Sequence, residues 1–363
     1  MSAILYYITG HGYGHAVRSN LVIQALANAA PDLKVHVRTT APPWLFHGAQ
    51  HPVVYSSEAI DVGIVQRDSL DMDLAATLDA CRTLHDRIPA LIKQEIDFIK
   101  AHGIQLILGD IPPLAFEIAA RAEIPSVAVT NFTWSWIYRG YLNAFPAFLP
   151  LVEEMESYYE RASLALALPY PGDLAVFPKQ EKIPWLARVS PLDKPQAKAV
   201  FGLPNSAPTV LLSFGGLGLE RLPWQKFRQM RDYFFVTTGA EVPRRDGNLL
   251  TLPIAQHRYQ DLVRAADVIV TKPGYGIVAD ALAHRTPVLY TDRGDFPEYP
   301  YLVRALEELG HARFIEQDEL LSGFLAPALP RLLGQHNAWP TVQLNGAEIA
   351  AKKILALLNQ KSP

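Results

Sequence analysis

The most constraining feature of this chain is one local pattern that recurs in both halves. A short apolar run ends in a glycine-rich loop, and a stretch with helical spacing follows. Near the N-terminus, residues 3–8 lead into Gly10-His11-Gly12-Tyr13-Gly14-His15, and then apolar side chains recur at Val17, Leu21, Val22, Ala25 and Leu26. Far downstream, residues 209–214 run into Gly215-Gly216-Leu217-Gly218, and residues 268–271 into Lys272-Pro273-Gly274-Tyr275-Gly276 with a helical stretch at 277–283. Between and after these points the alternation continues. Strands are expected at 35–38, 105–108, 126–130, 164–168, 233–237, 249–252 and 287–291, and helices at 78–101, 114–122 and 342–358. Strands alternating with helices predict parallel sheets covered on both faces.

The pattern stops from 169 to 208, where eight prolines fall (169, 171, 178, 184, 191, 195, 204, 208). Their fixed φ predicts an extended connecting segment. The expected organisation is a domain at 1–168, this connector at 169–208, a second α/β domain at 209–340, and a final helix within 341–363 packing back on the first domain. The length of 363 residues suits two such domains. Two open sheets in one chain predict a ligand cleft between them, at the C-terminal ends of the strands.

Composition narrows the function. With 33 Lys+Arg against 36 Asp+Glu the net charge is −3, so there is no basic field for nucleic acid. The single cysteine, Cys81, excludes an intrachain disulfide framework and cysteine-rich zinc sites. The N-terminal run has no basic flank and stops at Thr9, which reads as a buried strand and not a signal peptide. Residues 127–152 are interrupted by Arg139, Asn143 and prolines, so no transmembrane helix is expected, although peripheral membrane contact is left open. These features lead us to expect a cytoplasmic protein.

The first glycine loop lacks what a dinucleotide site requires. The second strand ends in Arg38-Thr39-Thr40, where an acidic ribose ligand would stand. His15 lies at the mouth of the following helix, whose positive end favours a neutral ring able to accept a proton. It either serves as a general base or caps its own loop. Asp110 ends a strand of the same sheet. It either orients His15 or caps the helix after Pro112-Pro113. In the second half, Gly274 and Gly276 at a helix N-terminus suit a diphosphate, and Asp280 one turn on suits ribose hydroxyls. Asp295 and Glu298 follow the next strand and could accept sugar hydroxyls. Gly215-Gly216 adds a second backbone approach to phosphate. The aromatic run 131–138, with Asn131 and Trp134, is either core packing or a wall for an acceptor.

Two motifs lead elsewhere. Asp71-Met72-Asp73 has the form of a metal-binding D-x-D, but it precedes an amphipathic helix, where carboxylates are common for dipole reasons. The eleven histidines show no metal-ligand spacing, and no metal is expected.

Taken together, YYITGHGYGHAVRS, GDIPPLA, VTNFTWSWIY, SFGG, TKPGYGIVADALAHRTPVLY and RGDFPEYPYL resemble the nucleotide-sugar glycosyltransferases of GT-B type. The resemblance extends to the peptidoglycan-precursor N-acetylglucosaminyltransferases and UDP-glycosyltransferases, and still more closely to the glycosyltransferase-like N-terminal region of plant L-arabinokinases. It covers nearly the whole chain. It implies two Rossmann-like domains and transfer of a hexosyl or N-acetylhexosaminyl group from a nucleoside diphosphate sugar, UDP-linked by preference. The acceptor would be a hydroxyl on a small molecule, lipid or saccharide. Such transfer is inverting and metal-independent, with the sugar nucleotide as co-substrate and no separate cofactor. The implied residues are His15 as base with Asp110; Gly14, Gly215, Gly216, His257, Lys272, Gly274, Tyr275, Gly276, Asp280, Asp295 and Glu298 on the donor; and His11, Tyr13, Asn131 and Trp134 on the acceptor. Relatives often carry Gln or Asn near 295–298. A nucleotide-sugar 2-epimerase or hydrolase, or a non-catalytic sugar-nucleotide-binding module, is the alternative on the same fold.

Overall fold

The structure is a computed structural model, described here for residues 2–46, 53–66, 72–215, 222–255, 258–325, 327–334 and 338–360. Among these residues lie two seven-stranded sheets. The first contains β1 (Ala3–Ile8), β2 (Lys34–Arg38), β3 (Val54–Ser56), β4 (Ile104–Asp110), β5 (Ser126–Thr130), β6 (Leu164–Ala167) and β7 (Gln180–Lys182). Its order is β3-β2-β1-β4-β5-β6-β7, all parallel. The second contains β8 (Thr209–Ser213), β9 (Phe234–Ala240), β10 (Arg244–Asp246), β11 (Leu249–Pro253), β12 (Val268–Thr271), β13 (Val288–Tyr290) and β14 (Ala312–Phe314). Its order is β10-β11-β9-β8-β12-β13-β14, parallel except for the antiparallel edge β10.

Helices cover both faces of a parallel sheet, so central strands must be apolar throughout. Every residue of β1 is buried. On one face Leu5, Tyr7 and Ile107 pack against Leu91, Ile92 and Ile99 of the helix Ile88–His102 and Leu114 and Ile118 of the helix Leu114–Arg121. In the second sheet Val210, Leu212, Phe235, Val268, Val270 and Leu289 share a core with Leu329 and Leu332.

The chain divides into two compact units. The first runs to Leu186 and takes in Gln343–Pro363, and the second spans Ala187–Val342. The proline-rich stretch 169–208 is therefore shared between the units rather than forming one extended connector. Its Gln180–Lys182 pairs with β6 as an edge strand, and its Lys194–Val200 forms a helix capped by Asp193. Prolines are tolerated beside an edge strand and in the first turn of a helix, where no backbone N–H is missed. The last helix, Gly346–Asn359, packs on the helix Tyr13–Ala29 of the first unit. Its Lys353 pairs with Glu181 of β7.

Register sets the positions of the loops. Ile8 stands opposite Asp110, so the loop after β1 emerges beside the end of β4. Thr271 is aligned with both Ser213 and Tyr290, so β8, β12 and β13 end level with one another and their following loops start side by side. Among the described residues no helix is long and apolar enough to cross a membrane.

Candidate functional site

The three glycines after β1 answer to different physical demands. A Cβ at Gly10 would meet Thr40 Oγ1 at 1.9 Å, so the loop can pass β2 only with hydrogen at that place. Gly12 caps the helix Tyr13–Ala29 at φ 69°, a left-handed conformation that disfavours side chains. Gly14 is exposed, and a Cβ there would meet nothing within 4 Å.

This geometry carries His15 inward to Asp110. His15 Nδ1 lies 2.8 Å from Asp110 Oδ1. Arg18, one turn further along the same helix, donates from Nε to Asp110 Oδ2 at 2.7 Å and from Nη2 to Oδ1. Its Nη1 donates to Asn131 Oδ1 at 2.6 Å, and its Nη2 stands 3.0 Å from His15 Nδ1. Ser19 Oγ adds a bond to Asp110 Oδ2 at 2.9 Å. The carboxylate is fully buried. Burial alone would raise its pKa, but the Arg18 guanidinium and then His15 outweigh that effect and hold it down at about 2. Asp110 therefore remains an anion in contact with the imidazole. The helix Leu114–Arg121 starts at Pro113 with no side-chain cap, so capping is not what this carboxylate does.

The aromatic run after β5 is packed. Trp134 is 1% exposed and Asn131 0%. The expected acceptor wall is accordingly a supporting layer, because both polar groups are engaged inside the protein. Asn131 anchors Arg18, and Trp134 Nε1 donates to Asp61 Oδ2 at 2.8 Å. Phe132 and Trp134 flank the His15 ring, and His11 meets Trp134 edge-on at 5.2 Å. His11 and Tyr13 are half-buried, with Tyr13 against Trp44. Asp61 belongs to the same neighbourhood. Desolvation pushes its pKa up to about 6 against hydrogen bonds from Thr9 and Trp134 that lower it, while Asp110 adds to the rise.

In the second unit Lys272, Gly274, Tyr275 and Gly276 stand at the start of the helix Tyr275–His284, after β12. Gly274 has an extended backbone (φ −137°), and a Cβ there would meet nothing within 4 Å. Neither strain nor crowding within the chain requires glycine at this position. Gly215 is exposed at φ 76°. Asp280, one turn into the helix, is 1% exposed and differs from the expected open ribose ligand. Its Oδ1 accepts the Arg188 backbone N–H at 2.9 Å, and its Oδ2 accepts Arg188 Nε at 2.9 Å and also Nη2. The Arg188 guanidinium lies over the Tyr259 ring, and the Tyr259 hydroxyl meets Ser213 Oγ. In the loop after β13, Asp295 is exposed. Glu298 is 4% exposed and accepts from Arg293 Nη1 at 2.8 Å, so its carboxylate serves the loop itself. Gly216 and His257 lie outside the described residues.

Asp71 of the D-x-D also lies outside the described residues. Asp73 caps the helix Leu74–His85, accepting from the Ala76 N–H at 2.9 Å. Among the described residues no group of three His, Cys, Asp or Glu side chains is arranged to hold a metal.

Arg18, Ser19, Asp61, Arg188 and Arg293 were not singled out from sequence. For Arg18 a signal exists, because it follows His15 by three residues and so shares its helix face. Asp61, Arg188 and Arg293 reach their partners only through tertiary contacts.

Two Rossmann-like units, each a mainly parallel sheet with glycine loops at the C-terminal ends of its strands, define the GT-B fold. Residues 2–139 match the family model described as glycosyl transferase family 1. The chain is similar to the L-arabinokinase of Arabidopsis thaliana, at 29% identity over 354 residues covering 95% of this chain. It spans about a third (33%) of that protein's length. Among solved structures it is similar to CalG4, the calicheamicin glycosyltransferase, with a TM-score of 0.65, 16% identity and full coverage of both chains. It is also similar to S. aureus MnaA, solved with UDP, with a TM-score of 0.62, 15% identity and coverage of 100% and 99% of the two chains. The solved structures show the fold, and the family model matches the first part of the chain.

Proposed function

We propose that the protein moves a sugar from a nucleoside diphosphate sugar, UDP-linked by preference, to an acceptor hydroxyl with inversion at the anomeric carbon. The observation that carries this reading is the His15–Asp110 contact at the mouth of the first glycine loop. With Nδ1–H donated to Asp110, the lone pair of the neutral ring is on Nε2. That nitrogen takes the acceptor proton while the acceptor oxygen bonds to the anomeric carbon. The bond from that carbon to the phosphate oxygen breaks, and the nucleoside diphosphate leaves with the electron pair.

The donor belongs to the second unit. The open space over Gly274 and the N–H groups starting the helix Tyr275–His284 suit a diphosphate, with Lys272 as counter-charge and Gly215 as a second backbone approach. Gly14, Tyr275, Gly276 and Asp295 are further donor contacts in this reading. Asp280 meets the ribose through the Arg188 pair. On the acceptor side His11 and Tyr13 are the side chains left in reach of solvent. No metal or separate cofactor has a part in this reading. UDP in the similar MnaA structure supports the nucleotide choice.

Thermal-shift titration with UDP-, GDP- and dTDP-sugars tests the donor assignment. A shift with UDP-sugars that G274V abolishes is expected. No shift with any of them would overturn the donor site. Sugar release or isomerisation with donor alone, and none to any acceptor, would replace transfer by hydrolysis or epimerisation.

A further inference from the structure

We propose that Arg18 is the positioning residue of the His15 site: it shares the Asp110 carboxylate with His15, compensates its charge, and so leaves the imidazole neutral and aligned. The contacts are specific. Nε and Nη2 of Arg18 take the two oxygens of Asp110, one each, and Nη1 is tied to Asn131 beyond the end of β5. A planar, always-charged fork suits this geometry, and a lysine could not reproduce it. Arg18 is 2% exposed and Asp110 0%, so little solvent screens the pair.

The electrostatic consequence follows from counting charge. A buried carboxylate alone beside a histidine stabilises the imidazolium, which opposes proton acceptance at neutral pH. With Arg18 present the cluster is neutral while His15 is neutral, and protonating His15 would create a net buried cation. The other groups facing this cluster are neutral at pH 7 with one exception. From β1, Tyr6 remains a neutral phenol, its ionisation disfavoured by burial and then by Asp110. Ser19 is uncharged. Asp61, bonded to the Trp134 indole and with its pKa raised by burial to about 6, is the one further carboxyl here among the described residues; above that pH it favours the imidazolium, and it is held constant when R18Q is compared with the native protein. His11 packs edge-on against Trp134 and, if protonated, adds to the same disfavour.

Arg18 acts through Asp110 and His15 and touches no reacting atom in this account. The importance of a neutral His15 rests on the glycosyl-transfer reading, whereas the charge compensation does not. The test therefore uses no ligand. Histidine Cε1–H signals are followed by NMR from pH 4 to 9, and H15Q identifies the His15 resonance among the eleven histidines. R18Q keeps hydrogen-bond donors toward Asp110 but removes the charge, and the His15 midpoint is expected to move to higher pH. D110N leaves the guanidinium uncompensated, and the midpoint is expected to move lower. R18K should restore the R18Q shift in part. A midpoint in R18Q equal to or below the native one would overturn the proposal. Should R18Q not fold, D110N decides, since a midpoint that stays or rises overturns it. If donor turnover is found, the acidic limb of kcat should move with the NMR midpoint while KM for UDP-glucose stays unchanged. Failure of turnover alone would count against the transferase reading and leave the titration result standing.

Discussion

Two carboxylates of the first unit sit in one neighbourhood, and their surroundings push them in opposite directions. Asp110 has Arg18 and is held down at about 2, whereas Asp61 has only neutral donors and rises to about 6. An unfolded aspartate titrates near 3.9. Below about pH 3 Asp61 is neutral in both states. As pH rises from about 4 through 6, the unfolded chain ionises more readily than the native one, and stability falls. Asp61→Asn keeps an oxygen for the Trp134 indole and removes that cost. Its melting temperature is expected to exceed the native value at pH 8 and to converge with it below about pH 3.5, as read by circular dichroism. A difference independent of pH would contradict this assignment. At the residue scale, His15 and Asp110 were legible because each ends a recognisable strand or loop. Arg18 was hidden inside an ordinary helical pattern, and Asp280 and Glu298 looked open because Arg188 and Arg293 meet them only in the folded chain.

Among the elements, the division between legible and illegible follows sheet position. The central strands announce themselves because burial on both faces demands unbroken apolar runs. The four strands that gave no signal are the four sheet edges, namely Val54–Ser56, Gln180–Lys182, Arg244–Asp246 and Ala312–Phe314. Three of the four carry charge and all are three residues long, which suits strands half open to water. The helix Ile88–His102 carries a consequence of its packing. His36 of β2 is 2% exposed and faces Phe98 and His102, and among the described residues neither ring nitrogen has a hydrogen-bond partner. Burial, then Lys34, His102 and Arg38, lowers its pKa to about 4. Stability is intact above the unfolded value of about 6.5 and is lost as pH falls through 4. His36→Phe should remove about 1–3 kcal/mol of the acid-induced loss between pH 7 and 4. Urea unfolding at the two pH values measures this, and an unchanged acid sensitivity would place the titrating group elsewhere.

On the scale of the whole molecule, the repeated strand–loop–helix pattern was enough to anticipate two parallel sheets. It could not reveal that the proline-rich stretch contributes an edge strand to one unit and a helix to the other. Proline restricts φ but does not determine which sheet edge a neighbouring residue joins. The glycine loops divide in a similar way. Gly10 and Gly12 are required by the fold itself, while Gly14 and Gly274 have open space around them, a difference set by tertiary neighbours and not by local sequence. The proposed chemistry assigns proton acceptance to the first unit and diphosphate binding to the second. The most direct test is therefore the turnover of His15→Ala against the native protein, at saturating UDP-sugar with an acceptor panel and with donor affinity measured in parallel. The account predicts a loss of about 10²–10⁴-fold in kcat with donor affinity unchanged. Turnover within a few-fold of native, with the donor still bound, would contradict it.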